Sequence, residues 1–281
     1  TLWNTKEATP RWKQRWQKGV AKDCAFSRGA PRLVCSSMQG GPRSWRVPDP
    51  TPSPLPGLPH FSHRRTAWLG DEVWLFSYSS APRRWLGPDR VLDAEGGGGD
   101  WKDLGLAPDG NSLARLSALD GTIRVDTRDA EGAVHSAERF RRLGAVAVDL
   151  GPAQELALVG PGAHVELLDA KDQTLFSIET PLASRLLDVE VSPDGSLVAA
   201  GTLRGEVLVW TRKGELVGRF EGHEQRVVKL AFSKDGNFLI SASWDESLRR
   251  WELGALGQPP GAVPEAQWEL SLDEATRVPG I

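Results

Sequence analysis

Methionine and tyrosine occur once each and cysteine twice in this chain of 281 residues, whereas tryptophan occurs twelve times. Two cysteines, Cys24 and Cys35, are too few for a disulfide framework, and their spacing matches no zinc motif, so neither a stapled scaffold nor a metal-built fold is expected. No apolar run approaches the ~18 residues of a membrane-spanning helix, and no basic segment followed by a hydrophobic stretch marks a signal peptide; we expect no membrane partner and a cytoplasmic location. A large basic excess is missing as well. With 34 Lys and Arg against 37 Asp and Glu, the net charge of -3 argues against a dedicated nucleic-acid partner. The chain opens on Thr1 rather than Met, which reads as a domain cut from a longer protein. What is plentiful is glycine, 30 residues, and proline, 20, a composition of short elements joined by turns rather than of long helices.

Near the C-terminus two stretches share one pattern. LLDVEVSPDGSLVAAGTLRGEVLVW ends at Trp210 and VVKLAFSKDGNFLISASWDESLRRW ends at Trp251. Each is an alternating apolar run, an Asp-Gly turn, a second run, a tight turn and a third run, which is the pattern of three short antiparallel strands. Weaker copies recur upstream, and the ends of their third strands fall at positions 3, 45, 85, 126, 168, 210 and 251. A period of ~40 to 45 residues with four strands each is the sequence sign of a β-propeller.

The stretch EGHEQRVVKLAFSKDGNFLISASWDESLRRW resembles a WD40 repeat, with Gly222-His223 before the first strand, Ser241 and Ser243 in the second, Asp245 in the turn and Trp251 ending the third. The resemblance implies that His223, Asp245, Trp251 and one of Ser241 or Ser243 form a buried hydrogen-bonded set that holds the blade together. It is strong over about residues 185–256. Over residues 1–180 the copies are degenerate: Asp126 and Leu168 stand where Trp would be, and the many prolines of RVPDPTPSPLPGLPH leave no regular fourth strand.

A propeller joins its last blade to its first. QWELSL at 267–272 lies where a new first strand is due, and TLW at the start reads as a third strand. The expectation is therefore an all-β, seven-bladed propeller of four-stranded antiparallel blades, a single domain over 1–281, its closing blade built from both chain ends. That blade is about seven residues short.

Enzymatic motifs are missing. His60, His63, His135, His164 and His223 show no HExxH spacing, the EGGGGDW run lacks the GK[ST] of a phosphate loop, and there is no GxSxG. The Asp-Gly pairs sit at the periodic turn and read as turn formers. We expect no metal, no cofactor and no catalytic residue. Cys24 and Cys35 align with Leu230 and Ser241, opposite each other on adjacent strands, and reduced buried thiols are expected there, with a cross-strand disulfide as the alternative. Trp3, Trp45, Trp85, Trp210 and Trp251 fall at the repeat position that packs between blades, and Trp68 aligns with the core Phe232.

What is left over is a column of mostly apolar residues at the tip of the second turn: Met38, Tyr78, Leu119, Pro161, Leu203 and Trp244. Arg142, Arg185 and Arg226 precede the first strand of their blades. Apolar side chains and arginine together at turns resemble a protein-interaction hot spot. The expected function is a non-catalytic scaffold that binds a protein or peptide partner on this face, as part of a larger signalling or assembly protein. The alternative is a propeller enzyme, or a propeller that holds a metal or small ligand in its central channel.

Overall fold

The computed structural model describes residues 2–4, 9–12, 21–27, 32–37, 42–46, 53–55, 63–77, 81–87, 90–94, 100–180, 184–254, 256 and 268–271, and every regular element among them is a β-strand. The chain divides into two compact units, Thr1–Leu143 and Gly144–Ile281.

In the first unit β1 (Leu2–Asn4) and β2 (Thr9–Trp12) pair with each other. Three four-stranded antiparallel sheets follow. They are β3 (Ala21–Phe26), β4 (Arg32–Ser37), β5 (Arg43–Arg46) and β6 (Ser53–Pro54); β7 (His63–Leu69), β8 (Glu72–Ser77), β9 (Arg83–Gly87) and β10 (Arg90–Asp93); and β11 (Trp101–Leu106), β12 (Ser112–Ser117), β13 (Thr122–Arg128) and β14 (Val134–Arg141). The second unit has three more: β15 (Ala147–Leu150), β16 (Leu156–Val159), β17 (His164–Leu168) and β18 (Thr174–Glu179); β19 (Leu186–Val191), β20 (Leu197–Thr202), β21 (Val207–Thr211) and β22 (Leu216–Phe220); and β23 (Val227–Phe232), β24 (Phe238–Ser243), β25 (Ser247–Glu252) and β26 (Trp268–Ser271). These are six propeller-type blades, numbered here one to six, where seven were expected.

The discrepancy lies in QWELSL. Its strand, β26, pairs with β25 as the outer strand of the sixth blade and does not begin a new one. Unpaired backbone groups along β25 would otherwise form an open edge, and the long Gly/Pro-rich connection delays the covering strand until it mimics the repeat spacing. Among the described residues of blade one the outer strand, β6, has two residues and includes Pro54, which supplies no N–H to a ladder.

Asp-Gly turns join the first two strands of blades three, five and six. Gly110, Gly195 and Gly236 adopt φ of 74°, 72° and 70°, a conformation glycine takes at no steric cost. The preceding carboxylate accepts the N–H two residues on: Asp109 from Asn111 at 2.9 Å, Asp194 from Ser196 at 3.0 Å, Asp235 from Asn237 at 3.2 Å.

Five of the six inner strands carry a register shift at the same place, between Ala21 and Asp23, His63 and Arg65, Trp101 and Asp103, Leu186 and Asp188, and Val227 and Lys229. Such bulges re-aim the next side chain. Here two of them send a carboxylate across to the inner strand of the following blade: Asp23 accepts the Thr66 N–H at 2.7 Å and Asp188 the Leu230 N–H at 2.7 Å. Asp149 does the same for Val191 at 2.8 Å. Lys229 adds an ammonium on Asp188 at 2.7 Å.

Between blades lie the apolar cores. Trp210 packs in the layer shared by blades four and five with Val165, Val189 and Val198. Trp251 packs between blades five and six with Val207, Phe220 and Leu230, its ring 5.2 Å from that of Phe220. Trp68, Trp74 and Trp101 fill the corresponding layers of the first unit. Each such side chain, fully removed from water, contributes ~1.5–3 kcal/mol or more.

Cys24 and Cys35 are register partners and are joined by a disulfide, where reduced thiols were expected. The pair follows directly on the bulge of β3, and its Cα atoms lie 4.1 Å apart, closer than the ~4.5–5.5 Å of ordinary opposed residues. At that separation the two sulfurs meet.

Candidate partner-binding face

The sixth blade gives the clearest geometry. Between β22 and β23 the loop carries Gly222 to Arg226, and between β24 and β25 the turn carries Trp244, Asp245 and Glu246, the last at φ 67°. His223 ties the two together. Its Nδ1 lies 2.8 Å from Asp245 Oδ2 and its Nε2 2.7 Å from Ser241 Oγ, while Trp251 Nε1–H donates to the same Oγ at 2.8 Å. An ionised carboxylate only accepts, so Nδ1 carries the imidazole proton, Nε2 accepts from the Ser241 hydroxyl, and the lone pair left on that oxygen takes the indole proton.

Asp245 also accepts from Glu224 N at 3.0 Å and from Ser247 Oγ at 2.7 Å. Burial alone would raise its pKa, but the donors Ser247, His223 and Glu224 overcome that and hold it at about 2. Ser243 works beside this chain rather than in it: its hydroxyl donates to Gln225 O and accepts from Asp245 N, both at 3.1 Å.

On this frame sit Arg226 and Trp244. Trp244 N–H donates to Arg226 O at 3.1 Å, and the Arg226 guanidinium lies 3.9 Å from the indole centroid. The indole is nevertheless 57% exposed. A large aromatic ring with a cation stacked on it, held at a turn and left mostly in water, has the chemistry of an interface anchor. The fifth blade repeats the backbone part: Leu203 N–H donates to Arg185 O at 2.8 Å, and Leu203 is 40% exposed. Its turn has Arg204 in place of the aspartate, and Arg204 N–H donates to Thr202 Oγ1 at 3.2 Å, as Asp245 N–H does to Ser243 Oγ. Gly205, at φ 90°, brings this turn so near the next loop that a Cβ would stand 2.2 Å from His223 O. In the fourth blade Pro161 holds the place of Leu203, and Gly144 packs against its ring.

Two positions differ from the sequence alignment. Leu150, not Val148, is the β15 residue equivalent to Val191, because each opens the pairing onto the second strand of its blade. Gly144 therefore takes the place of Arg185 and Arg226. Arg142 lies two residues earlier, donating its N–H to Gly121 O at 2.8 Å. In the third blade the turn is one residue longer: Ala118 N–H donates to Asp100 O at 2.7 Å and occupies the tip position, while Leu119, 75% exposed, follows it. Met38 and Tyr78 lie outside the described residues.

Residues 214–252 match the family model described as "WD domain, G-beta repeat". The sixth blade is thus a WD40 repeat. Its curated relatives include the periodic tryptophan protein 2 homolog of Dictyostelium discoideum, 26% identical over 174 residues, which are 60% of this chain and 19% of that protein. The pre-rRNA-processing protein crb3/ipi3 of Schizosaccharomyces pombe is 40% identical over 72 residues, 25% of this chain and 16% of the relative. The nuclear distribution protein nudF 1 of Talaromyces marneffei is 31% identical over 110 residues, 38% of this chain and 24% of the relative. The chain thus spans less than a quarter of the length of each.

Set in register, the six blades fill the Ser241–Trp251 position with different chemistry. Blade three has Arg115 and Asp126, bonded at 2.6 and 3.0 Å and both without solvent exposure. Blade four has Leu158 and Leu168, blade five Ala200 and Trp210, blade two Leu75 and Trp85, and blade one Cys35 and Trp45. The buried ion pair was not anticipated from the sequence. Its signal was there: opposite charges at the two positions that pair in the intact repeat. Among the described residues no group of three or more His, Cys, Asp or Glu is placed to hold a metal ion.

Proposed function

We propose that this chain is a non-catalytic assembly scaffold, and that the turn face of blades five and six binds a protein or peptide partner. The observation that carries the reading is the exposed Trp244 with Arg226 stacked on it, flanked in the preceding blade by exposed Leu203 and by Arg185. A segment that pairs aromatic or aliphatic residues with carboxylates suits such a surface: the apolar side chains cover the indole and Leu203, and the acids meet the guanidinium groups. Leu119 and Arg142 of the first unit, with Met38 and Tyr78, extend the proposal to the other blades.

The name pre-rRNA-processing protein among the relatives supports an assembly role and favours a nuclear setting over the cytoplasm expected from the sequence. It also raises RNA as a second reading, and one observation favours that: residues 1–143 hold 22 Lys and Arg against 16 Asp and Glu, whereas residues 144–281 hold 12 against 21. The near-neutral total conceals a basic first half.

The test is affinity recovery of partners with the wild-type chain and with Trp244→Ala combined with Arg226→Ala. Both side chains lie at the surface end of the blade, so the variant keeps its circular dichroism and melting point, and partner recovery falls at least tenfold, since hot-spot truncations cost ~2 kcal/mol or more each. Undiminished recovery with the fold intact would sink the assignment. Recovery that depends steeply on salt and disappears after nuclease treatment would instead support the RNA reading.

A further inference from the structure

We infer that the Cys24–Cys35 disulfide is a redox modification site, opened by a dithiol reductant through attack on Cys24, and that its state sets how firmly blade one holds blade two. Four observations carry this.

Only one of the two sulfurs is open to attack. Cys24 is exposed on β3, whereas Cys35 is 5% exposed on β4. An incoming thiolate therefore meets Cys24 Sγ. The disulfide breaks, its electron pair goes to Cys35 Sγ, which takes a proton, and Cys24 is left as a mixed disulfide with the reductant. The second thiol of the reductant then displaces Cys24, so the protein gains two thiols as the reductant becomes a disulfide.

The freed thiol has a place to go. Cys35 stands opposite Cys24 as Ser241 stands opposite Leu230, and Leu33 faces Trp45 as Leu239 faces Trp251. Reduced Cys35 thus takes the seat that a serine hydroxyl holds in the sixth blade, where that hydroxyl accepts the indole N–H at 2.8 Å. Both redox states have a packed home, which a purely structural bridge does not require.

The bridge is local. It joins neighbouring strands 11 residues apart in sequence that are already held by a ladder, so reduction leaves the blade folded. Loss of the crosslink raises the entropy of the opened hairpin instead.

Finally, the bridge adjoins an inter-blade bond. Asp23, next to Cys24, accepts the Thr66 N–H of β7 at 2.7 Å. Opening the bridge frees β3 to fray, and the Thr66 amide loses its partner for part of the time. The second unit carries an internal control, because Asp188 holds the Leu230 amide at the same 2.7 Å with no cysteine nearby.

The experiment is a dithiothreitol titration of the full chain under native conditions, followed by amide hydrogen exchange and by mass mapping of alkylated cysteines. Expected are reduction without global unfolding, an intermediate carrying the reductant on Cys24 rather than Cys35, and exchange at Thr66 at least tenfold faster with exchange at Leu230 unchanged. Cys24→Ser with Cys35→Ser should show the fast Thr66 exchange with or without dithiothreitol; if that variant does not fold, the wild-type titration decides alone. Two free thiols before any reductant is added, reduction only after denaturation, or unaltered Thr66 exchange would each overturn the proposal.

Discussion

Arg115 and Asp126 take up the space that a serine and a tryptophan fill in the intact repeat, and neither reaches solvent. Burial lowers the pKa of the guanidinium, and the adjoining carboxylate offsets that only in part. Two bonds to Asp126, one to Ser136 at 3.0 Å, and the Trp101 ring 4.5 Å away surround the charge. Such a pair adds little net stability over a well-packed apolar one, but half of it is far worse than none. Arg115→Leu or Asp126→Leu alone should therefore cost ~3–5 kcal/mol, and the double replacement should recover most of that, as the apolar Leu158 and Leu168 of blade four suggest. Urea midpoints of the three variants test it: single losses below ~1 kcal/mol would mean that the charges are not needed by one another.

At the scale of elements, the outer strands decide where pairing stops. β26 covers β25 through four opposed residues, Ser271 to Ser247 through Trp268 to Arg250. A chain ended at Leu256 keeps the whole WD repeat motif but leaves β25 as an open edge. At ~0.5–1.5 kcal/mol for each ladder bond, its stability should fall by ~2 kcal/mol or more, with concentration-dependent association through the bare edge. Light scattering and thermal melting check this. An unaltered, monodisperse truncated chain would place the outer strand of blade six elsewhere.

At the scale of the molecule, the second unit is tied together by charge as well as by its apolar cores. Asp149 on β15 bonds β19, Asp188 on β19 bonds β23, and Lys229 returns a cation to Asp188. Full burial, opposed by N–H bonds from Val191 and Leu150 and by Lys229 but reinforced by the charge of Asp188, pushes the pKa of Asp149 up to about 7. An acid with a folded-state pKa above its ordinary value of ~3.9 favours folding in its protonated form. Its contribution is complete below about pH 4 and is lost as the pH rises through about 7. Melting temperature should accordingly decline between pH 5 and pH 8, by several degrees at ~2–4 °C per kcal/mol. Asp149→Asn keeps the acceptor for Val191 and removes the charge, so it should flatten that decline. The same slope in wild type and variant would show that Asp149 stays ionised throughout. Asp245 has the opposite sign: held at about 2, it stabilises above ~pH 4 and stops doing so only as the pH falls through about 2.

Much was legible in the sequence because it is written in local terms. Alternation, Asp-Gly turns and a period set by recurring Trp mark the first three strands of blades two to six, and the set His223, Asp245, Trp251 and one of Ser241 or Ser243 could be named from one 31-residue stretch, since each member has a fixed offset from a strand end. The exposed Trp244 was visible too, as an apolar residue at a turn. Offsets do not survive insertions, however. One extra turn residue moved Leu119 off the tip, a shift in β15 put Gly144 where Arg142 was expected, and a long connection made β26 look like the start of a seventh blade. Nor can period or composition report distance between strands. That Cys24 and Cys35 bond, that Asp23, Asp149 and Asp188 reach into the next blade, and that Arg115 finds Asp126 were decided only by the tertiary structure. Bulge geometry and burial, which set those contacts, depend on chain segments that are remote in sequence.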